Sequence, residues 1–308
     1  MARPLRFVPP NALVEVTTRT VHGRFLLRPS AEVNDMILGI IGRAQTLYPV
    51  RVHAFVVLSN HVHALLSVDD AAQLAAFMAF VNGNIAREIG RLHEWRHRFW
   101  ARRYRAIVVA DDLAAVARLR YILQNGCKEG LVDRPGDWPG LSCVQALAAG
   151  DELRGTWFDR TAEFNARRRG ERVIPGQFAS AYRVHLSPLP CWRDLSPARH
   201  RAACADLVAQ VEAQTSAARL DSGVACLGPE RILAQHPHDR PVASDASPAP
   251  LVHASSTDTR KAFRRTYLAF LDAFRAAVAC LRRGLKADFP LGAFPPGAPF
   301  VAPQPAPA

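Results

Sequence analysis

Two histidines in the sequence are spaced so that they can share one metal ion. His61 and His63 stand two apart in the apolar run LSNHVHALL, residues 58–66. Side chains alternate across a β-strand, so both imidazoles point to one face while Val62 points to the other. An isolated H-x-H pattern is short, however, and two hydrogen-bonded histidines on a half-buried strand are the simpler explanation of it. A second chemical group is needed to favour a metal site.

A tyrosine and an asparagine form that second group. Tyr121 and Asn125 lie four apart in LAAVARLRYILQN, residues 113–125, and therefore on one face of a predicted helix. Two imidazole nitrogens and an amide oxygen suit Mg²⁺ or Mn²⁺ and leave coordination positions for phosphate and water. A tyrosine hydroxyl can act as a covalent nucleophile if a cation or base is near, because its ordinary pKa is about 10. The residues alone leave open that Tyr121 is a packed aromatic side chain.

The elements around these residues predict an α+β domain over residues 1–150. Alternating or apolar runs indicate strands at 12–21, 50–58, 61–68 and 105–110, and helical periodicity indicates helices at 31–47, 71–93 and 113–125. Ser59 and Asn60 are a two-residue hairpin connection. The order β-α-β-β-α-β-α is typical of a ferredoxin-like antiparallel sheet with helices on one face, plus one extra helix.

The rest of the chain is predicted to be a mainly helical extension. It covers residues 151–286 and has one indicated strand (YRVHL) and a helix from Ser196 to Leu220. Residues 235–257 are predicted to be an irregular linker. A last amphipathic helix follows, ending near Gly284, and residues 287–308 are a proline-rich tail.

Composition indicates the kind of partner. A net charge of +12 and a pI of about 10.2 favour a polyanion such as nucleic acid, or simply a soluble surface. None of the six cysteines forms a C-x-x-C pair, which argues against a zinc ribbon. Without an apolar leader or a run of 18 apolar residues, the expectation is a cytoplasmic protein, associated with the nucleoid when it is bound to DNA.

A basic stretch with interleaved aromatic residues predicts nucleic-acid binding. From residue 87 to residue 105, seven arginines stand against two glutamates. Arginines neutralise phosphates, and flat rings stack on unpaired bases at roughly 1–3 kcal/mol per base. Phe99 and Trp100 are predicted to pack in the core, and a solvated basic rim is the alternative. The predicted DNA-binding residues are Trp95, Arg96, Arg98, Arg102, Arg103, Tyr104 and Arg105.

The same stretch contains the pattern of a zinc-protease helix. His93, Glu94 and His97 match H-E-x-x-H, in which two histidines bind zinc and the glutamate acts as base. Neighbouring arginines would repel the ion, and the motif falls at the end of a predicted helix. A zinc protease is therefore a weak hypothesis.

Several sequence blocks occur in the order found in a known family. They are HAFVVLSNHVHALL, FMAFVNGNIAREIG, FWARRYRAIVV, RLRYILQNGCKEGLV and DWPG. Over about residues 12–148 the chain resembles the HUH-type single-tyrosine transposases, specifically the REP-associated tyrosine transposases. The C-terminal half resembles that of longer members, which carry an extension.

The resemblance implies a metal-dependent nuclease domain acting on single-stranded or hairpin DNA. By its motifs, His61 and His63 hold the divalent ion, Asn125 is the third ligand, and Tyr121 attacks to leave a 5′-phosphotyrosine and a free 3′-hydroxyl. Strand joining then reverses the cut without ATP. In some members the tyrosine helix acts in trans within a homodimer, which is left open here. Relatives often carry proline after the asparagine; Gly126 stands there instead and can end the helix through a left-handed cap.

One further hypothesis belongs to a different class. A domesticated DNA-binding protein of the same fold would have lost the His-x-His pair or the tyrosine. Both are present, which favours the transposase.

Overall fold

The computed structural model describes residues 5–241 and 249–295, and it confirms the α+β class. In chain order the elements are β1 (Leu13–Arg19), α1 (Ala31–Leu47), β2 (Arg51–Leu58), β3 (His61–Ser67), α2 (Ala71–Leu92), β4 (Arg105–Val109), α3 (Asp112–Leu123), α4 (Asn125–Lys128), α5 (Val144–Ala148), β5 (Leu153–Phe158), α6 (Arg160–Arg168), β6 (Ala179–Val184), α7 (Pro197–Ser222), α8 (Pro229–Leu233), β7 (Val252–His253) and α9 (Thr257–Arg282). Short polar side chains cap helices α1, α2 and α3: Ser30, Asp70 and Asp111 each accept a bond from a backbone N–H in the first turn.

The main sheet has five strands in the order β2-β3-β1-β4-β7. β1 lies at its centre, antiparallel to both β3 and β4, and β2 is antiparallel to β3 across the predicted two-residue turn. The split βαβ order is therefore confirmed. β7 adds a parallel pair beside β4, and it comes from within the segment for which the sequence indicated only an irregular linker.

The two faces of this sheet differ in chemistry because β1 alternates apolar and polar residues. The apolar face is formed by the buried residues Val14, Val16 and Leu66 and the partly buried Val62 and Ala64. Helices α1 and α2 cover it with isoleucine, phenylalanine and methionine side chains. Burial of such residues supplies most of the free energy that holds the sheet.

The polar face is the opposite side of the same strands. It is formed by Glu15, Thr17, His61, His63 and Arg105, with Thr17 directly opposite both His63 on β3 and Arg105 on β4. Helix α3, the extra helix predicted from the sequence, packs on this face against β2 and β3. Residues separated along the chain thus meet between α3 and the sheet.

The hairpin of β5 and β6 packs on α1 at unusually short range. A Cβ atom added to Gly39 would lie 2.1 Å from the backbone of Thr156, and one added to Gly155 would lie 2.5 Å from the backbone nitrogen of Gly39. Real Cβ atoms do not approach backbone so closely, so glycine is required at both positions. Residues after 150 are therefore packed directly on the first domain.

A smaller aromatic core joins the two ends of the described chain. It consists of Phe7 with Tyr267, Phe270 and Phe274 of α9. The hydroxyl of Tyr267 donates to the carbonyl oxygen of Leu5 at 3.0 Å, which ties the N-terminal segment to α9. No helix within the described ranges combines the length and the apolar character needed to cross a bilayer. Residues 296–308 of the predicted proline-rich tail lie outside the described residues.

Candidate active site

The predicted histidine pair lies at the start of β3, directly after the hairpin turn. His61 and His63 are both buried on the polar face, and the centroids of their rings are 5.1 Å apart. Burial lowers the pKa of His61 well below its usual value, and the neighbouring His63 and Arg19 lower it further. The ring of His61 is therefore neutral near pH 7 and can offer a nitrogen lone pair.

Both imidazoles are held at Nδ1. Nδ1 of His61 lies 2.6 Å from Oδ1 of Asn60, whose amide nitrogen donates to the carbonyl oxygen of Gly23 at 3.2 Å and so fixes the orientation of the amide. Nδ1 of His63 lies 2.9 Å from Oε1 of Glu15. An amide oxygen and a carboxylate only accept hydrogen bonds, so each ring carries its proton on Nδ1 and leaves the lone pair of Nε2 for a ligand.

Tyr121 comes from the last turn of α3 and lies against this pair. The ring centroids of Tyr121 and His63 are 5.4 Å apart. The guanidinium carbon of Arg118 lies 3.8 Å from the centroid of the Tyr121 ring, and the ammonium nitrogen of Lys128 lies 4.5 Å from it. The half-buried phenol is thus beside a histidine of its own chain and between two cations, which attract both a phenolate and a phosphate.

Asn125 is fully buried in α4, one turn after Tyr121. Neither its amide oxygen nor its amide nitrogen has a hydrogen-bond partner among the described residues. Such a buried amide is unfavourable unless an ion or a water completes it. No cluster of three His, Cys, Asp or Glu side chains within the described ranges can hold a metal. The available donors are the predicted ones, two imidazoles and an amide oxygen, and they suit Mg²⁺ or Mn²⁺.

The expectation that Gly126 forms a left-handed cap is wrong. Gly126 lies inside α4, and the left-handed glycine is Gly130, with φ 69°, after that helix. A Cβ atom on Gly126 would lie 3.2 Å from a methyl group of Val132. The missing side chain therefore lets the chain after α4 pack closely against the turn that holds Asn125.

Several residues that complete the site were not identified from the sequence. Glu15 is 3% exposed, and its two carboxylate oxygens lie 2.8–2.9 Å from nitrogen atoms of His63, Arg118 and His253. Burial raises the pKa of Glu15, but the contacts with His253 and His63 and the charge of Arg118 lower it more, so its pKa lies well below the usual range. A charged residue inside the strand LVEVTTR was the available signal.

The predicted DNA-binding residues lie mostly on an open surface next to the histidines. The five arginines Arg96, Arg98, Arg102, Arg103 and Arg105 are all exposed. Trp95, Arg98 and Arg102 line a cavity of about 980 Å³. Arg19 also lines it and stands directly opposite His61 in the β1–β3 register. The cavity therefore adjoins the histidine pair.

The aromatic residues of this stretch have different environments. Phe99 is buried, and the half-buried Trp100 donates its Nε1–H to the carbonyl oxygen of Asn82 at 2.8 Å, so the prediction that both pack is confirmed. Tyr104 is half-buried, with the guanidinium carbon of Arg6 4.5 Å from its ring centroid. One face of the Tyr104 ring is thus occupied, and its role in DNA binding stays a prediction.

The H-E-x-x-H pattern does not form a helix. α2 ends at Leu92, and Glu94 has a positive φ of 52°. His93 and His97 consequently do not share a helical face, which the zinc-protease motif requires. The zinc-protease hypothesis has no support in the described part of the chain.

Comparisons with known proteins match one part of the chain to a family model. Residues 24–125 match the model of the family described as Transposase IS200 like, which confirms the resemblance over that range. Among solved structures, a REP-associated tyrosine transposase bound to a REP hairpin is 19% identical, with a TM-score of 0.41, covering 48% of this chain and 86% of its own. A Deinococcus radiodurans R1 protein assigned as a transposase is 19% identical, with a TM-score of 0.29, covering 38% and 93%. No curated protein is significantly similar to the chain.

Proposed function

We propose that this chain, in which residues 24–125 match the IS200-like transposase family, cuts and rejoins single-stranded DNA with Tyr121 as the nucleophile. The observation that supports this most is the contact between Tyr121 and His63, whose ring centroids are 5.4 Å apart although they come from α3 and β3. The phenol lies beside two imidazoles and close to two cations, an environment that packing alone does not require. It is an arrangement suited to attack on a phosphodiester.

The proposed reaction exchanges one phosphodiester for another. The hydroxyl oxygen of Tyr121 loses its proton and bonds to the phosphorus, and the bond from phosphorus to the 3′ oxygen breaks. That oxygen takes up a proton and leaves as a 3′-hydroxyl, while the 5′ phosphate stays on the tyrosine. Attack by a 3′-hydroxyl reverses the step and joins strands without ATP. Arg118 and Lys128 at the ring would offset the negative charge that develops.

A divalent ion would be held by the Nε2 atoms of His61 and His63 and by the amide oxygen of Asn125. When bound, Mg²⁺ or Mn²⁺ supplies positive charge that polarises the scissile phosphate. Asn60 and Glu15 would keep the two imidazoles in the tautomer that a ligand needs.

The DNA would approach through the cavity next to the histidines. Arg98 and Arg102 would neutralise backbone phosphates, and the half-buried Trp95 would contact an unpaired base. Arg19 stands opposite His61, so a strand lying in the cavity would bring a phosphate towards the histidine pair. Single-stranded or hairpin DNA is therefore the proposed partner. A homodimer is a further proposal; the contact between Tyr121 and His63 lies within one chain and does not depend on it.

The test is covalent capture of DNA. The full chain is incubated with end-labelled single-stranded hairpin DNA and Mn²⁺, and a protein–DNA band that survives SDS is expected, with the label mapped to Tyr121. Tyr121→Phe should lose the band by at least about 10³-fold and still bind DNA. Tyr48→Phe, at the half-buried tyrosine that directly follows α1, is the matched control. An adduct on another tyrosine, or no adduct in the wild-type chain, would sink the proposal.

A further inference from the structure

Glu15 occupies the centre of the polar face, between the proposed metal ligand and the proposed nucleophile. Its Oε1 lies 2.9 Å from both Nδ1 of His63 and Nη2 of Arg118, and its Oε2 lies 2.8 Å from both Nε of Arg118 and Nε2 of His253. His63 and Nη2 of Arg118 hydrogen-bond to Oε1, while Nε of Arg118 and Nε2 of His253 lie close to Oε2 without hydrogen-bond geometry, so nitrogen atoms surround the carboxylate on three sides. It therefore offers His63 a fixed acceptor.

The same carboxylate reaches the tyrosine through Arg118. This guanidinium contacts both oxygens of Glu15, and its carbon lies 3.8 Å from the centroid of the Tyr121 ring. Glu15 thus fixes one side chain of each half of the site, an imidazole on β3 and the cation beneath the phenol on α3.

His253 reaches Glu15 from the C-terminal extension. It stands on β7 opposite Val109 in the parallel register, and its carbonyl oxygen accepts a bond from the backbone N–H of Ala110 at 2.9 Å. Two residues later, the backbone N–H of Ser255 donates to Oδ2 of Asp111, the residue that caps α3, at 2.8 Å. These two hydrogen bonds hold the backbone of β7 against the end of β4 and the start of α3. The fold therefore fixes the position of His253.

We propose that Glu15 and His253 are positioning residues for the site, and that the C-terminal extension is thereby part of the catalytic unit. This inference rests on the proposed function. Both residues lie outside residues 24–125, the part of the chain that matches the family model. His253 lies against the second oxygen of Glu15, Glu15 accepts from Nδ1 of His63, and Nε2 of His63 would be left for the divalent ion.

The first readout needs neither DNA nor metal. In the full chain labelled with ¹⁵N-histidine, the imidazole signals of His63 are assigned by their loss in His63→Gln. We expect them to report a proton on Nδ1 in the wild type and a mixture of tautomers in Glu15→Gln, because the glutamine amide is neutral and has one acceptor oxygen where the carboxylate has two. An unchanged tautomer in Glu15→Gln would overturn the role of Glu15.

The second readout is the affinity for Mn²⁺, measured by titration calorimetry. Glu15→Gln should weaken binding about 10- to 100-fold, as is usual when the partner of a metal-binding histidine is removed, and His253→Gln should weaken it by less than about tenfold. Glu171→Gln and His185→Ala change exposed residues of the same types and should leave the affinity unchanged. Melting followed by circular dichroism identifies any variant that has not folded. Because its side chain lies at the sheet edge, His253→Gln keeps the test available if Glu15→Gln fails to fold.

The double variant separates this proposal from a general loss of packing. If His253 acts through Glu15, Glu15→Gln combined with His253→Gln should bind Mn²⁺ within about twofold of Glu15→Gln alone. Independent, additive losses would contradict the relay. If the wild-type chain forms the DNA adduct and both single variants have the wild-type Mn²⁺ affinity and adduct yield, this inference is refuted. The proposed function would still stand. A wild-type chain without adduct, but with the tautomer and affinity effects, would refute only the proposed function.

Discussion

The two faces of the main sheet are built from the same strands and serve different ends. On the apolar face, Val16 and Val62 pack against α1 and α2, and burial alone accounts for their places. On the polar face, Glu15 and His63 are also buried, 3% and 7% exposed, but only as members of a hydrogen-bonded group. Burying such groups costs free energy unless each has a partner, so the polar face is specified by pairing and not by packing.

This contrast shows how one strand can hold a fold and a site together. Because side chains alternate along β1, changes on one face leave the other face in place. Substitutions on the polar face should therefore alter chemistry more than stability, and substitutions on the apolar face should do the reverse.

The largest effect is expected when an imidazole is removed from the polar face. His61→Ala should lower adduct formation at least about 100-fold, because it removes a proposed metal ligand, while salt-dependent DNA binding is kept. Adduct yield, DNA affinity and the unfolding midpoint in urea are measured together. His185→Ala, at an exposed histidine, is the control. If His61→Ala loses activity only in proportion to its loss of folded protein, the faces are not separate.

The reverse effect is expected on the apolar face. Phe55 is 1% exposed and lies opposite Ala64 beneath α1 and α2. Phe55→Ala should lower the free energy of unfolding by about 3–5 kcal/mol through lost burial and a cavity, and Phe55→Leu should lower it much less. The adduct yield per folded molecule should stay at the wild-type level. A specific loss of chemistry in the folded Phe55→Ala protein would argue against the division.

A smaller effect should appear in acid. His53, at a bulge in β2, is buried between Oγ of Ser67 and the carbonyl oxygen of Ser187, at 2.7 and 2.9 Å, and burial lowers its pKa to about 4. Between pH 6.5 and pH 4, His53 is protonated in the unfolded chain but not in the folded chain. The free energy of unfolding should therefore fall by at most about 3 kcal/mol as the pH falls through that range. Urea unfolding at pH 7 and pH 5 measures this, and His53→Gln, which does not titrate, should flatten the dependence.

The smallest effect concerns the rim of the polar face. Arg102→Ala should weaken single-stranded DNA binding only a few-fold and reduce the dependence of log affinity on log salt by about one. Arg193→Ala removes a side chain that is 80% exposed in the extension and should change neither quantity. Equal effects of the two variants would mean that DNA binding follows net charge and not the cavity.

The parts of the molecule that sequence predicted well are those with a regular pattern. Helix α1 has the predicted bounds, and the hairpin between β2 and β3 has the predicted two-residue turn, because periodicity and turn residues are local signals. The histidine pair and Tyr121 were identified because their types and spacing are chemically specific. Asn60 was interpreted only as a turn residue, and its contact with His61 depends on a tertiary bond to Gly23.

The parts that were missed depend on contacts between distant segments. β7 has two residues and lies in a polar, proline-containing segment, so no periodicity could reveal it or His253. Glu15 was a single acidic residue in a β-branched strand, and no spacing linked it to Arg118. β5 contains Gly155, which weakens strand prediction but is required where the hairpin meets α1.

The aromatic cluster of Phe7 and α9 has a consequence for dissecting the protein. A fragment ending at residue 150 would leave that phenylalanine and the glycine-lined side of α1 in water, and we expect it to aggregate. The part of the chain that matches the family is therefore shorter than the part that we expect to fold by itself. The second part includes nearly all residues up to residue 295.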